Sequence, residues 1–151
     1  MSTSFRRARP SEAQAISELA LRSKAHWGYD EAFLDACRED LTWTAEGLES
    51  QHVVVAESGG ELAGFFALDG HGASGELTDL FVDPRWIGTG LGGELISLAL
   101  EHARDRGHAT LGIDADPNAA SFYERFGARL VSQSMSRSIP GRTLPRLEIV
   151  L

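Results

Sequence analysis

A glycine-rich turn ahead of a helix is the feature of this sequence with the clearest chemical capacity. Residues 88–93 read Gly-Thr-Gly-Leu-Gly-Gly, follow a strand-like stretch at 76–82 and precede apolar residues at helical spacing. The start of a helix offers free N–H groups and the positive end of its dipole, and glycines let an anion approach the backbone closely. The turn therefore predicts a binding site for a pyrophosphate group.

Two nucleotide-binding motifs fit this turn poorly. The phosphate loop of nucleotide hydrolases ends in Gly-Lys-Ser/Thr, and the turn has no lysine. A dinucleotide-binding fingerprint needs Gly-x-Gly-x-x-Gly, whereas Gly88, Gly90 and Gly92 place the third glycine one residue early. A purely structural turn, with glycines only for tight packing, stays open on the local pattern alone.

The turn and its flanks resemble the acetyl-CoA motif of the GNAT N-acetyltransferases, Q/R-x-x-G-x-G/A, which follows a strand and opens a long helix. Here the motif falls on residues 87–92, with Ile87 where the family usually has Gln or Arg. A match beginning at Arg85 lies two residues too close to the strand end. Residues 118–128 resemble the family's Asn-x-x-x-x-Tyr helix, so two blocks in the right order support the resemblance.

The resemblance implies acetyl-CoA as co-substrate, held mainly by main-chain amides, so that Ile87 weakens one contact without removing the site. The strand before the turn would meet the pantetheine arm and the reacting carbonyl through its main chain. The implied cofactor-binding residues are Leu80, Phe81, Val82, Ile87, Gly88, Thr89, Gly90, Leu91, Gly92, Asn118 and Tyr123.

Acetyl transfer to an amine needs a base, because an alkyl ammonium has a pKa of about 10.4, and an acid for the departing thiolate. By resemblance Glu76, eleven residues before Ile87, is the first candidate for the base. Asp79 on the same strand is the second, and a water chain ending on either is also open. The family motif makes Tyr123 the acid. The structural alternatives are an exposed carboxylate for Glu76 and a core aromatic for Tyr123.

The acceptor amine should enter over the first two helices, where members of the family differ most. Their junction carries His26, Trp27 and Tyr29, which could stack on a small ligand or hold a cation; a plain interhelical loop is the alternative. Arg142, beside Pro140 and Gly141, could contact a carboxylate, although a solvated loop arginine is the more common case. The other histidines show no metal-ligand spacing, so we expect no metal site.

The element order that positions these residues is β-α-α-β-β-β-α-β-α-β-β, with a first strand at 5–9 and a helix capped by Ser11. This order predicts an α/β fold with a mixed sheet of six to seven strands and about four helices. The N-terminal part is antiparallel, and the resemblance implies a central parallel pair that splays at the cofactor site. We expect one domain over residues 1–151.

Composition limits the partners of the chain. Its 151 residues are 42% hydrophobic and 24% charged, as in ordinary globular proteins. The formal charge of −8 opposes binding to nucleic acid or anionic lipid. Cys37 is the only cysteine, so no internal disulfide is possible, and no apolar run is long enough to span a bilayer. We expect a cytoplasmic protein.

These features together predict an acetyl-CoA-dependent N-acetyltransferase. The acetyl group would pass directly to a primary amine of a small molecule or amino-acid-like acceptor. A non-catalytic acyl-CoA-binding regulatory module and a protein or peptide N-acetyltransferase are the alternatives, since both would use the same cofactor pocket. The family resemblance also allows a homodimer.

Overall fold

The computed structural model describes residues 3–151. The strands are β1 (Thr3–Arg7), β2 (His52–Ser58), β3 (Glu61–His71), β4 (Ser74–Val82), β5 (Thr110–Asp114), β6 (Arg129–Met135) and β7 (Thr143–Val150). The helices are α1 (Ala13–Ala25), α2 (Glu31–Leu41), α3 (Ala45–Ser50), α4 (Leu91–Asp105) and α5 (Ala120–Glu124).

The seven strands form one sheet in the order β1-β2-β3-β4-β5-β7-β6. Neighbouring strands are antiparallel except for β4 and β5, which are parallel. The predicted mixed sheet, with an antiparallel N-terminal part and one central parallel pair, is confirmed. The structure has one helix more than the four expected, because the short α3 follows Thr44, whose hydroxyl accepts the N–H of Gly47.

Helices cover both faces of the sheet. On one face, called here the α4 face, Phe66 and Leu68 of β3 pack in the same cluster as Leu95 of α4. On the opposite face, called the α1–α2 face, Phe65 of β3 packs in a cluster with Ile16 of α1. Because successive strand residues point to opposite faces, β3 contributes side chains to both cores.

A β-bulge interrupts the pairing of β3 with β4. Ala67 pairs with Asp79 and Leu68 pairs with Leu77, so Thr78 is an extra residue on β4. Directly paired residues share a face of the sheet. Asp79 therefore lies on the α1–α2 face with Ala67, whereas Leu80, which pairs with Phe66, lies on the α4 face.

The two parallel strands separate soon after they meet. Their pairing covers three positions and ends where Glu76 lies opposite Gly112. Beyond that point β4 continues to Val82 along β3, and β5 continues along β7 as far as the pair of Asp114 with Arg146. A gap therefore opens between the second half of β4 and the end of β5.

Two predicted boundaries at the N-terminus were wrong. The first strand covers Thr3–Arg7 rather than residues 5–9. Ser11 does not cap α1, because a 3-10 turn at Pro10–Glu12 precedes the helix, and the carboxylate of Glu12 accepts the N–H of Arg9 at 2.8 Å. No helix within residues 3–151 is long and apolar enough to cross a membrane.

Candidate active site

A cavity of about 780 Å³ lies in the gap between β4 and β5. Four segments form its wall: the second half of β4, the glycine turn with the start of α4, the end of β5 with α5, and the end of α1. Leu80 and Val82 line it from the α4 face, and Asp79 and Phe81 line it from the α1–α2 face. The cavity thus connects the two faces of the sheet.

The glycine turn has the backbone of an anion site. Gly88 and Gly90 have φ angles of +85° and +90°, in the left-handed region that other residues rarely adopt. The first hydrogen bond of α4 runs from the Glu94 N–H to the Gly90 carbonyl, at 3.2 Å. The N–H groups of Leu91, Gly92 and Gly93 therefore have no partner inside the helix. A Cβ at Gly88 or Gly90 would meet nothing within 4 Å, so space for a ligand lies in front of the turn.

The second half of β4 offers main-chain donors to the same cavity. The N–H of Asp83 donates to the Ala63 carbonyl of β3 at 2.8 Å. Because N–H groups alternate between the two edges of a strand, those of Leu80 and Val82 point to the other edge. That edge faces the gap, since β5 has already turned away.

Tyr123 of α5 presents a protonated hydroxyl to the cavity. Its ring lines the cavity and only 6% of the residue is exposed. Burial raises the pKa of Tyr123, and the carboxylates of Asp79 and Asp116 add to this effect. The phenol therefore holds its proton at neutral pH, and the raised pKa also makes it a weaker acid than a free tyrosine.

Asp79 is a carboxylate of increased basicity in the cavity wall. Burial raises the pKa of Asp79 to about 6, although the side chains of Thr78 and Trp43 act in the opposite direction. Within residues 3–151 no Lys, Arg or His lies close enough to form an ion pair with it. A group of this kind can accept a proton near neutral pH.

Glu76, the other base candidate, lies outside the cavity wall. Arg146 of β7 donates to both of its carboxylate oxygens, with 2.7 Å from Nη2 to Oε1. The structure therefore places the two candidates differently. Glu76 forms an ion pair with Arg146 where the parallel strands are still paired, and Asp79 faces the cavity beyond that point.

The end of α1 and the junction after it form the cavity wall on the α1–α2 face. His26 and Trp27 line the cavity, and 47% of Trp27 is exposed. Tyr29 lies outside the lining, and protein partners occupy its hydroxyl. This hydroxyl donates to Asp116 at 2.9 Å and accepts from Arg142 Nη2 at 2.9 Å. Tyr29 thus organises the wall and does not face the cavity itself.

Most residues predicted to bind the cofactor line the cavity. Two do not: Leu91 is buried in the core of the α4 face, and the hydroxyl of Thr89 donates to the Trp86 carbonyl. Those that line it are Leu80, Phe81, Val82, Ile87, Gly88, Gly90, Gly92, Asn118 and Tyr123. In the part of the chain that the structure describes, no three His, Cys, Asp or Glu side chains are grouped as metal ligands.

The sequence analysis missed Lys24 and Asp116, which also line the cavity. The Lys24 ammonium donates to Asp116 Oδ2 at 2.7 Å. Burial alone would raise the pKa of Asp116, but Lys24 and the Asn118 N–H outweigh it and hold this pKa below its usual range. The one available signal was compositional, since Lys24 is the only lysine of the chain.

The family model described as an acetyltransferase (GNAT) domain matches residues 10–138. The chain belongs to the GNAT family. An uncharacterised N-acetyltransferase of Methanocaldococcus jannaschii is 30% identical to this GNAT chain in an alignment of 123 positions that covers 72% of this chain and 54% of that protein. An uncharacterised N-acetyltransferase of Archaeoglobus fulgidus is 43% identical in an alignment of 61 positions that covers 36% of this chain and 42% of that protein. This GNAT chain thus spans about half the length of the curated relatives it matches.

Solved structures share the GNAT fold of this chain along its whole length. A GCN5-related N-acetyltransferase from Rhodopseudomonas palustris has a TM-score of 0.85 and 24% identity, covering 100% of this chain and 97% of the other. The PaiA N-acetyltransferase from Thermoplasma acidophilum, crystallised with coenzyme A, has a TM-score of 0.81 and 18% identity, covering 100% of both chains. At these identities the likeness concerns the fold alone.

Proposed function

We propose that this chain is an acetyl-CoA-dependent N-acetyltransferase that transfers the acetyl group directly to a primary amine of a small acceptor. One observation carries the proposal: a single cavity joins the glycine turn on the α4 face to the carboxylate of Asp79 on the α1–α2 face. Cofactor and acceptor can therefore meet in the gap of the sheet from opposite sides.

On the α4 face, the free N–H groups at the start of α4 would bind the pyrophosphate of acetyl-CoA. The N–H groups of Leu80 and Val82 would hold the pantetheine arm and stabilise the oxyanion of the tetrahedral intermediate. The coenzyme A bound to the Thermoplasma acidophilum PaiA protein, which has the same fold, supports this assignment.

Asp79 accepts the proton of the attacking amine. Its pKa of about 6 lies about four units below that of a free ammonium, so complete prior deprotonation would cost about 6 kcal/mol. Because an ammonium nitrogen has no lone pair, we infer that the bound acceptor passes one proton to Asp79 before it attacks. A second N–H proton becomes more acidic as the bond to carbon forms and leaves to solvent as the intermediate collapses. A carboxylate with an ordinary pKa would be a weaker base by about two units.

Tyr123 completes the transfer. The amine nitrogen bonds to the thioester carbonyl carbon, and the tetrahedral intermediate collapses as the carbon–sulfur bond breaks. The Tyr123 hydroxyl gives its proton to the thiolate sulfur, and the phenolate regains a proton from solvent. Because its pKa is raised, the Tyr123 phenol is still protonated when the thiolate departs.

Thermal unfolding with acetyl-CoA, with NAD as the comparison ligand, tests the cofactor. A ligand at 100 times its Kd stabilises a protein by about 2.7 kcal/mol, which corresponds to a rise in Tm of about 5–11 °C at this size. A rise with acetyl-CoA and none with NAD is expected. No rise at saturating acetyl-CoA would contradict the proposal.

Two glycine variants separate ligand binding from backbone strain. Gly90→Ala and Gly107→Ala impose an alanine at φ angles of +90° and +87°, at opposite ends of α4, and neither Cβ meets an atom within 4 Å. Both should lower the Tm of the free protein by similar amounts. Only Gly90→Ala should also lose the rise with acetyl-CoA.

CoA release with small amines and with peptides distinguishes the alternatives. A regulatory module would bind acetyl-CoA without amine-dependent release, and a protein N-acetyltransferase would prefer peptides. The wall at His26 and Trp27 supports a small acceptor, because these aromatic side chains can stack on a small ligand or hold a cation.

We also propose that residues 1–151 form one domain in the cytoplasm and pair as a homodimer. The buried thiol of Cys37 is compatible with a reducing compartment. β6 is at the edge of the sheet and exposes the apolar side chains of Leu130, Val131 and Met135, which supports a second copy as its partner. Light scattering at micromolar concentration tests the dimer, and a monomeric mass contradicts it.

A further inference from the structure

Five polar side chains form one network beside the end of α1. Lys24, Asp116 and Asn118 line the cavity, and Tyr29 and Arg142 lie just outside its lining. Asp116, at the centre of the network, accepts from Lys24 at 2.7 Å, from Tyr29 at 2.9 Å and from the backbone and side-chain amides of Asn118, each at 2.9 Å. Arg142 donates to the Tyr29 hydroxyl at 2.9 Å and lies 3.7 Å from Asp116. The network joins segments from four separate parts of the fold.

The network carries more positive than negative charge. Lys24 and Arg142 supply two positive charges, and Asp116 is the one carboxylate that they contact within residues 3–151. The four donors occupy both oxygens of Asp116. Lys24 uses one of its three N–H bonds, and the Nε and Nη1 groups of Arg142 have no partner within those residues. One positive charge and several donors are left for a ligand.

An aromatic pair holds the two cations in place. The rings of Tyr29 and Phe33 stack with centroids 4.0 Å apart and an interplanar angle of 11°. The Lys24 ammonium lies 5.3 Å from the Tyr29 centroid, and the Arg142 guanidinium lies 4.8 Å from the Phe33 centroid. The side chains of Lys24 and Arg142 are only 13% and 18% exposed. They are therefore ordered before a ligand arrives, and Arg142 is not a solvated loop residue.

We propose that Lys24, which lines the cavity, binds a carboxylate of the acceptor, and that Arg142, just outside the lining, supplies the excess positive charge of the network, so that the acceptor is an amine that also carries a carboxylate. A net charge of one matches a carboxylate better than a phosphate, which carries nearly two negative charges. On the same face Asp79 has no ion-pair partner within residues 3–151 and would meet the ammonium. Since Lys24 and Asp79 line one cavity, a zwitterion complements both.

This inference rests on the proposed function, and its test uses amines that differ only in the carboxylate. Acetyl-CoA turnover is measured with 4-aminobutyrate against butylamine, and with phenylalanine against phenethylamine. We expect kcat/KM to be about 10- to 100-fold higher for the carboxylate member of at least one pair, the effect of one hydrogen bond to a charged group. Arg142→Gln should lose that preference through a higher KM.

A matched control is Arg137→Gln, because Arg137 is an exposed arginine of the same loop with no hydrogen bond to the described residues. It should keep the preference. Lys24→Met should lose the preference as Arg142→Gln does. Because Lys24→Met leaves Asp116 with fewer donors, its fold is checked by the acetyl-CoA-dependent rise in Tm.

The outcomes separate this inference from the proposed function. A rise in Tm with acetyl-CoA leaves the cofactor assignment intact. If the amines of each pair are then turned over equally, if the plain amines are turned over better, or if none of the four amines is turned over, the carboxylate subsite is overturned. Preference for the carboxylate that survives both Arg142→Gln and Lys24→Met also overturns it. No rise with acetyl-CoA overturns the proposed function and this inference with it.

Discussion

Replacing Asp79 by Asn should separate activity from stability. The change keeps the size of the side chain and removes the group whose pKa is raised to about 6. In the wild type, kcat/KM should fall about tenfold per pH unit below pH 6, because Asp79 must be ionised to accept a proton. An aspartate with an ordinary pKa would place this decline about two pH units lower.

In Asp79→Asn the change of slope at pH 6 should disappear, because the fraction of neutral amine then sets the rate over the whole pH range. A general base contributes about 10²- to 10⁴-fold, so activity at pH 7 should drop by that factor. The residual rate should then rise about tenfold per pH unit towards pH 10, as the fraction of neutral amine grows. CoA release followed with a thiol reagent from pH 5 to 9.5 measures both profiles.

Stability should change in the opposite direction. A carboxyl whose pKa is raised on folding makes the folded state bind more protons than the unfolded state, so stability is lost as pH rises towards 6. Asp79→Asn removes this loss and should stabilise the protein at pH 7 by about 1–3 kcal/mol, which is measured as a higher Tm. Asp69→Asn, an exposed aspartate on β3, is the control and should change neither property.

Glu76→Gln distinguishes the two base candidates. Glu76 accepts from the Nη1 and Nη2 groups of Arg146, so the variant should lose stability, by about 1–3 kcal/mol, and keep the decline in activity near pH 6. If the change of slope at pH 6 disappears in Glu76→Gln and persists in Asp79→Asn, the assignment of Asp79 is refuted.

Three further changes test Tyr123 and Trp43 and, outside the site, His52. Tyr123→Phe should lower kcat by about 100-fold or more and leave the Kd of acetyl-CoA unchanged. An unchanged kcat refutes the assignment of Tyr123 as the general acid. Trp43→Phe removes a buried indole N–H that has no hydrogen-bond partner within residues 3–151 and lowers the pKa of Asp79, so the decline in kcat/KM should move above pH 6. The pKa of His52, 2.8 Å from His102, is lowered to about 4 by burial and nearby positive charges, so stability should be lost as pH falls from about 6.5 to 4. Because Asp79 has the opposite effect, the measurement is the difference in Tm between wild type and His52→Gln, which should shrink over that range.

Turns and helices that depend on neighbouring residues could be predicted from the sequence. The glycine turn and α4 have strict spacing. Asp30, an aspartate directly before the apolar positions 33, 34 and 37, has the residue type that favours a helix cap, and it accepts the N–H of Phe33 at 2.8 Å at the start of α2. The helix α3 could not be predicted, since its six residues bury only Leu48 and show no helical period.

The acceptor side could not be predicted because its contacts join distant residues. Lys24 and Asp116 are 92 positions apart, and Tyr29 and Arg142 are 113 positions apart. No local pattern relates residues at such separations. The aromatic cluster at 26–29 was found by composition, but only the structure shows that the Tyr29 hydroxyl binds protein groups.

The choice between Glu76 and Asp79 depends on the bulge at Thr78. In a regular strand residues three apart point to opposite faces. The extra residue removes one alternation, so Glu76, which pairs with Asp69, and Asp79, which pairs with Ala67, lie on the same face. Face alone therefore does not separate them; their position along the strand does. Glu76 is the last residue of β4 paired with β5, and Asp79 lies beyond it, where the separated strands leave its carboxylate in the cavity wall. The bulge also leaves Leu80 on the α4 face, so adjacent residues of one strand serve the acceptor side and the cofactor side of the same cavity.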